Sequence, residues 1–174
     1  MSIKNIITVP DEILKKISTQ VEKIGKNEKK LINDLFETMY KSKGIGLAAV
    51  QVGVLKRILV IDVSSGEEKK QPLSFINPTI KKLSDETSIY EEGCLSIPNT
   101  YIEIERPKVC VVEYIDVKGQ IKNLTCDGLL STCLQHEINH LDGKLIIDNL
   151  SKLKRDLIIK KISKSKKSPD RIIV

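Results

Sequence analysis

The sequence lacks any long apolar segment. No window approaches the roughly 18 apolar residues that a membrane-spanning helix needs. The segment before Pro10 also lacks the apolar core of a secretion signal. These absences predict a soluble protein that is not exported. With 174 residues, of which 40% are hydrophobic, the chain can bury one sizeable core, and its length favours a single domain.

Cysteine is scarce and irregularly spaced. The four cysteines are Cys94, Cys110, Cys126 and Cys133. In a chain without an export signal, this pattern argues against a disulfide framework and predicts reduced thiols. A reduced thiol is free to bind a metal.

Positive charge is concentrated at the C-terminal end. The net charge is +6, and residues 151–174 contain nine Lys or Arg against two Asp, so the first 150 residues carry 20 basic and 21 acidic side chains. A basic segment of this kind can bind a phosphate-rich surface such as ribosomal RNA through counterion release. A solvated helix face followed by a frayed end is an equally good interpretation.

The hydrophobic periodicity changes along the chain. It predicts a short helix after Pro10 and a longer one over residues 27–44. Seven strand-like runs separated by turn signals lie within residues 57–126. Helical spacing returns over residues 127–143, with Asp as a possible cap and Gly as the stop, and again over about 151–162.

This order of elements predicts an α+β fold. We expect antiparallel β-sheets packed around the helix at 127–143, with N-terminal helices before them and a C-terminal helix after them. Residues 1–163 would form one domain. Residues 164–174, the basic tail, are too polar to pack and are predicted to be flexible.

The helix at 127–143 contains both histidines of the chain. His136 and His140 are four residues apart, and Glu137 directly follows the first of them, so the segment reads HExxH. On a helix, both imidazoles face the buried side and can share a divalent metal. Glu137 projects from the adjacent part of the helix surface, among leucines. It would be a partly desolvated carboxylate suited to proton transfer. The same geometry predicts a wetter opposite side, comprising Ser131, Thr132, Gln135, Asn139 and Asp142.

Two imidazoles do not complete a catalytic metal site, which commonly uses three protein ligands and a water molecule. No histidine follows His140, and Ile146 stands where a metzincin has its third histidine. No glutamate follows Glu137, which counts against a site of the thermolysin type. The third ligand is therefore expected upstream, and the candidate is Cys94, between a glycine and a leucine just after a strand.

The other cysteines are weaker candidates. Cys110 lies among valines in a strand, and Cys133 is one turn before His136, so both are expected in the core. Cys126, next to a turn, stays undecided. A thiolate with two imidazoles favours Fe²⁺, Zn²⁺ or Co²⁺ over Mg²⁺ or Ca²⁺, without selecting among the first three.

A third segment, GIGLAAVQ at 44–51, is rich in small residues. Its glycines allow backbone to approach a ligand, and Gln51 supplies an amide donor. The segment lacks the lysine and hydroxyl residue of a phosphate-binding loop. Taken alone, it reads equally well as a helix-to-strand turn with small packing residues.

Three segments together, GIGLAAVQ (44–51), EGCLSIP (92–98) and QHEINH (135–140), closely resemble in order the three motifs of bacterial peptide deformylases. The resemblance extends to the layout of the type with a helical C-terminus, over about residues 3–163. It implies a cytoplasmic bacterial metallohydrolase that removes the N-formyl group from the initiator methionine of nascent chains and releases formate.

The resemblance also implies a role for individual residues. One divalent metal per chain, Fe²⁺ in the cell with Zn²⁺, Ni²⁺ or Co²⁺ also accommodated, would be bound by Cys94, His136 and His140. The general acid/base would be Glu137. The oxyanion would be stabilised by Gln51 and the backbone N–H of Leu95. The substrate peptide would be held as an added strand by backbone at Ile45, Gly46 and Gly93. Expected partners are formyl-Met nascent peptides and, through the basic tail, the ribosome, with no membrane and no sequence-specific nucleic acid.

Asn139 and Tyr101 depart from the family pattern, and Arg106 matches it. Asn139 stands where many members have Asp, which predicts an altered hydrogen bond behind the metal ligands and intact chemistry. Tyr101 stands where some members have Arg, so preference beyond the methionine could differ. Arg106 is implied to be structural, with its partner unassigned. Two alternative functions stay open at this point, namely a zinc endopeptidase and a non-catalytic RNA-binding relative.

Overall fold

The computed structural model describes residues 2–64 and 70–167. Its elements confirm the predicted α+β class. The helices are α1 (Lys26–Lys41), α2 (Gly128–Leu141) and α3 (Lys152–Lys167). Short 3-10 helices span Glu12–Lys15, Ala49–Val52 and Ile146–Asn149. The strands are β1 (Gly46–Ala48), β2 (Ile58–Ile61), β3 (Leu73–Leu83), β4 (Thr87–Cys94), β5 (Ile97–Pro107), β6 (Cys110–Ile115) and β7 (Ile121–Cys126).

The strands form two antiparallel sheets. Five of them form a sheet in the order β1-β2-β3-β6-β7, so that β1 and β7 are its edges. The other two, β4 and β5, pair as a separate hairpin, with Gly93 opposite Tyr101. The predicted antiparallel pairing is thus confirmed. Two of the seven predicted runs, at 73–78 and 79–83, are continuous in β3, with a register shift after Ile76.

The five-stranded sheet is covered on both faces. Every residue of β2 is buried, because its alternate side chains point to opposite faces of the sheet and both faces are covered. Leu59 and Ile61 belong to the core cluster that contains the apolar side chains of α2, whereas Ile58 and Val60 belong to the cluster that contains those of α1. Helix α2 therefore lies inside the molecule.

A third cluster joins the β4–β5 hairpin to the C-terminal segments. Ile97 and Ile104 of β5 pack with the 3-10 helix Ile146–Asn149 and with Ile162 of α3. Helix α3 is thereby docked on the domain by a few isoleucines. The central helix that carries the HExxH sequence is enclosed between the sheet and the β4–β5 hairpin, as the sequence predicted.

Two element boundaries differ from the prediction. The segment 44–51 contains a strand and a 3-10 helix rather than only a turn, because β1 pairs with β2 along its whole length. Helix α3 continues to Lys167, beyond the predicted end near residue 162. The basic tail thus begins inside the helix, and its part from residue 168 onward lies outside the described residues. Within the described ranges, no helix is both long and apolar enough to span a membrane.

Candidate metal centre and active site

Three potential metal ligands converge at the end of the β4 strand. Cys94 Sγ lies 3.2 Å from His140 Nε2, which lies 3.2 Å from His136 Nε2. All three donor atoms lie within 4.8 Å of one another. One sulfur and two imidazole nitrogens at this spacing fit a transition metal better than Mg²⁺ or Ca²⁺. The upstream cysteine proposed from the sequence is therefore brought to the two histidines.

Helix α2 places both histidines on one side, one turn apart. On its other side, Ser131, Thr132 and Gln135 are buried, contrary to the prediction, whereas Asn139 and Asp142 are half-buried. The reason is that β5 and its following turn cover this side. Gln135 Nε2 donates to the carbonyl of Pro107 at 2.8 Å.

A buried carboxylate fixes the orientation of His136. Glu92 Oε2 lies 2.8 Å from His136 Nδ1, which leaves Nε2 directed toward Cys94 and His140. Arg106 donates to both carboxylate oxygens of Glu92, from Nε at 2.5 Å and from Nη2 at 2.9 Å. Burial alone would raise the pKa of Glu92, but the hydrogen bonds from His136 and Arg106 outweigh it and lower the pKa. A carboxylate behind a ligating imidazole is a common device for fixing its tautomer.

Arg106 also accounts for Asn139. Its Nη1 donates to Asn139 Oδ1 at 2.8 Å. The Asn side chain is thus a neutral acceptor behind the histidines, where a carboxylate would add a second negative charge beside Glu92. Arg106, whose partner the sequence left unassigned, thus bonds to both Glu92 and Asn139.

Glu92 was missed by the sequence reasoning, although its signal was present. Strand alternation turns Glu91 outward and Glu92 inward, and Glu92 is only 6% exposed. A buried carboxylate needs a cationic partner. The chain has 25 Lys and only 4 Arg, so an inward-facing Arg on the paired strand was the partner to look for.

Glu137 lines a cleft that leads from the surface to the ligand cluster. It is 4% exposed, and burial raises its pKa to about 7. Its Oε2 makes no hydrogen bond within the described part of the chain. Gly46 is what allows this position, because a Cβ atom there would lie 2.5 Å from Glu137 Oε1 and 2.8 Å from Cys133 Sγ. A carboxylate with a pKa near neutrality can both accept and donate a proton.

A nearby backbone N–H group fixes the orientation of the Gln51 side chain. The N–H of Ala48 donates to Gln51 Oε1 at 2.8 Å, so the amide nitrogen is the end that faces Cys94 and Ser96 as a donor. Nε2 lies 3.1 Å from Ser96 Oγ and 3.7 Å from Cys94 Sγ. The side chain is 1% exposed. A fixed N–H donor is thereby held beside the sulfur of the ligand cluster.

A cleft of about 540 Å³ leads from the surface to these groups. One wall is formed by the chain at 42–46 and the other by β4 and the start of β5, and the floor is formed by α2. The predicted residues Ile45, Gly46, Gly93 and Leu95 all line it. Tyr101 also lines the cleft and is 69% exposed, so it borders the groove.

The first wall has a free strand edge. The carbonyl of Ile45 accepts a hydrogen bond from the N–H of Asp62 at 2.9 Å. The alternation of an antiparallel ladder therefore turns the N–H and C=O of the next residue, Gly46, away from β2 and toward the cleft. Ile45 is 40% exposed, so it contributes its side chain to the wall, and Gly46 offers the backbone groups.

The remaining cysteines stay outside the ligand cluster. Cys110 and Cys133 are buried as expected, and Cys126, which the sequence left undecided, is buried too. Cys133 also lines the cleft, and burial raises the pKa of its thiol.

The site as a whole defines a metal-dependent hydrolase. It combines three converging ligands, a carboxylate titrating near neutrality and a fixed amide donor, all at the end of a peptide-sized cleft.

Comparison with known proteins gives the family. The family model for polypeptide deformylase matches residues 3–156. A peptide deformylase of Pelagibacter ubique (strain HTCC1062) is 55% identical over 174 residues, covering 100% of each chain. One of Rhizobium meliloti (strain 1021) is 53% identical over 168 residues, covering 97% of each. A crystal structure of peptide deformylase from Ehrlichia chaffeensis has a TM-score of 0.91 at 42% identity, covering 97% of this chain and 99% of that one.

The chain belongs to the polypeptide deformylase family. It is a metal-dependent hydrolase that removes the N-formyl group from nascent peptides, with formyl-Met peptides as substrates. This membership replaces the two alternatives that the sequence left open, the zinc endopeptidase and the non-catalytic relative.

Proposed function

We propose that Cys94, His136 and His140 hold the catalytic metal and that Glu137 is the general acid/base of the deformylation. The single observation that carries this assignment is the convergence of the three donor atoms within 4.8 Å beside a buried carboxylate with a pKa of about 7. When bound, a divalent metal at such a site supplies a Lewis acid that makes water nucleophilic near neutral pH.

Glu137 performs the proton transfers. It accepts a proton from the water that attacks the formyl carbon. It then donates that proton to the amine as the C–N bond breaks, so the products are formate and a peptide with a free N-terminus. Burial suits Glu137 to both steps, since its pKa of about 7 lies close to the operating pH. Gly46 supports this role because it leaves room for the carboxylate at the cleft end.

Gln51 and the N–H of Leu95 stabilise the negative charge that develops on the formyl oxygen. The Gln51 amide is held by the Ala48 N–H, so its Nε2 needs no reorganisation during the reaction. Losing one preorganised donor of this kind typically costs about 10²–10³-fold in kcat. Leu95 follows the ligand Cys94 directly and lines the cleft, which suits its N–H to the same oxygen.

The peptide is bound as an added strand. Gly46 presents backbone N–H and C=O groups at the free edge of β1, and Gly93 of β4 lies on the facing wall. Ile45 borders the same path with its side chain, and its carbonyl remains committed to Asp62. Backbone pairing binds peptides of different sequence, as an enzyme acting on many nascent chains requires.

One assay tests the assignment of Glu137. Protein purified anaerobically is incubated with a formyl-Met peptide, and free amine is followed. Glu137→Gln should retain one metal per chain and lose turnover, while the control Glu22→Gln, at an exposed position outside the cleft, should match the wild type. Turnover by Glu137→Gln at the wild-type rate would refute the role of this carboxylate.

The metal in the cell is proposed to be Fe²⁺. A thiolate with two imidazoles is compatible with Fe²⁺, Zn²⁺, Ni²⁺ and Co²⁺, and the motif resemblance favours iron. Metal analysis of protein prepared without air should find iron, with loss of both iron and activity on exposure to oxygen. Zinc at full occupancy in fully active protein would contradict this proposal.

Ribosome association is proposed through the basic face of α3 in the cytoplasm. Lys154, Lys160 and Lys161 are exposed, and Leu153 and Leu157 are 72% and 59% exposed beside them. Co-sedimentation with ribosomes should weaken with salt and be lost on reversing the charges of Lys160 and Lys161. Reversal at the control site, the exposed Lys118 and Lys122 of the β6–β7 hairpin, should not affect it. Equal binding by both variants would refute the helix as the docking face.

A further inference from the structure

Two cysteines that take no part in the metal centre face each other across adjacent strands. Cys110 is the first residue of β6, and Cys126 is the last residue of β7, and the two are directly opposite in the antiparallel register. Directly opposed residues have Cα atoms about 4.5–5.5 Å apart. That range falls within the roughly 4.4–6.8 Å that a disulfide spans.

The two thiols also contact each other. The hydrogen bond from the Cys126 thiol lowers the pKa of the Cys110 thiol, against the effect of burial. The Ser131 hydroxyl contributes in the same direction. Both side chains lie in the core cluster between the sheet and α2, with 0% and 1% exposure. Register and proximity are the geometric requirements for a pair that forms a disulfide.

We propose that Cys110 and Cys126 form a reversible modification site, at which a peroxide converts the two thiols into a disulfide that joins β6 to β7. The Cys110 thiolate attacks one peroxide oxygen and the O–O bond breaks, which gives a sulfenic acid and a hydroxide ion. The proton lost by the Cys110 thiol converts that hydroxide to water. The Cys126 thiol then attacks that sulfur and displaces a second water molecule. Two thiols are oxidised by two electrons, and one peroxide is reduced to two waters.

The location of this pair sets its effect. Cys126 is separated from the first residue of α2 only by Asp127, so the disulfide would tie the sheet edge to the start of the helix that bears His136 and His140. It would close the loop over residues 110–126. Closing a loop restricts the unfolded chain, so the oxidised protein should melt at a higher temperature than the reduced protein.

Cys133 provides the matched comparison. It lies on α2 in the same core cluster, yet it is directed toward the backbone of Ile45, with Sγ 3.8 Å from that carbonyl oxygen. Burial raises the pKa of its thiol, which leaves it protonated. Cys133 should therefore remain a thiol under conditions that oxidise the opposed pair.

The test is thiol counting and peptide mapping of Ni²⁺-loaded protein before and after hydrogen peroxide. Counted after denaturation and metal removal, free thiols should fall from four to two per chain, and dithiothreitol should restore them. A digest should yield a peptide linking Cys110 to Cys126, and the melting temperature should rise. Cys133→Ser should give the same linked peptide.

Two single variants complete the test. Neither Cys110→Ser nor Cys126→Ser should form the linked peptide or gain melting temperature on oxidation. Circular dichroism of both variants verifies that they are folded. Unmodified Cys110 and Cys126 in peroxide-treated wild type, or a linkage to Cys133 or Cys94 in their place, would overturn the proposal.

Discussion

Replacing Glu92 with glutamine tests how far the metal centre depends on the carboxylate behind it. Glu92 accepts two hydrogen bonds from Arg106 and one from His136, and it is 6% exposed. The substitution keeps the shape but removes the charge, so the buried guanidinium of Arg106 loses its counter-ion. Removing one partner of a buried ion pair typically costs roughly 3–5 kcal/mol of folding free energy. Loss of the acceptor behind a ligating histidine weakens metal binding by about 10–100-fold.

Two measurements check this prediction. Urea unfolding of the metal-free Glu92→Gln variant should show the loss of stability, and metal competition titration should show the loss of affinity. The control is Glu91→Gln, the neighbouring residue on the exposed face of the same strand, for which neither quantity should change. If Glu92→Gln matches the wild type in both, the carboxylate does not hold His136 in place.

The pH dependence of the Glu92 effect has a definite sign. Its folded-state pKa is lowered from the ordinary 4.5, so its contribution to stability is fully present above that value and is lost as pH falls through the folded-state pKa. The difference in unfolding free energy between wild type and Glu92→Gln should therefore shrink in acid. A difference that grew as pH fell would contradict the pairing with Arg106.

Three further predictions concern the cleft. Glu137→Gln should stabilise the metal-free protein progressively as pH rises from 4.5 to about 7, by roughly 3 kcal/mol at the upper end. The reason is that a buried acid with a raised pKa opposes folding once it ionises in the unfolded chain. Unfolding titrations check this, and a pH-independent difference in unfolding free energy would contradict it. Gly46→Ala should lower kcat by about 10²-fold with metal retained, since its Cβ would displace Glu137 or Cys133; steady-state kinetics with metal analysis check it. Gln51→Leu should lower kcat by about 10²–10³-fold, whereas the exposed Gln20→Leu should not; equal kcat values would remove Gln51 from oxyanion stabilisation.

Much of the fold and the ligand cluster could be predicted from the sequence because their signals are local or scarce. Strand alternation and helical spacing located most elements, and the presence of only two histidines, four residues apart, located α2. The missing downstream ligand directed attention to Cys94. These inferences needed no knowledge of how the strands pair.

The environment of α2 could not be predicted in this way. A helical wheel treats Ser131, Thr132 and Gln135 as a wet face, but β5 covers them and Gln135 bonds to the Pro107 carbonyl. Long-range packing decides such cases, and one helix carries no information about the strand above it. Glu92 was missed for the same reason, since its importance depends on Arg106. That residue lies on the paired strand β5, opposite Ser88, which is four residues before Glu92 on β4.

Metal content of the cysteine variants tests the central claim most directly. Wild type and Cys133→Ala, whose thiol lies one turn from His136 but outside the ligand cluster, should each bind one Ni²⁺ per chain after anaerobic loading and removal of free metal. Cys94→Ala, verified as folded by circular dichroism, should bind none under the same conditions. Stoichiometric metal in folded Cys94→Ala would contradict the assignment of the third ligand.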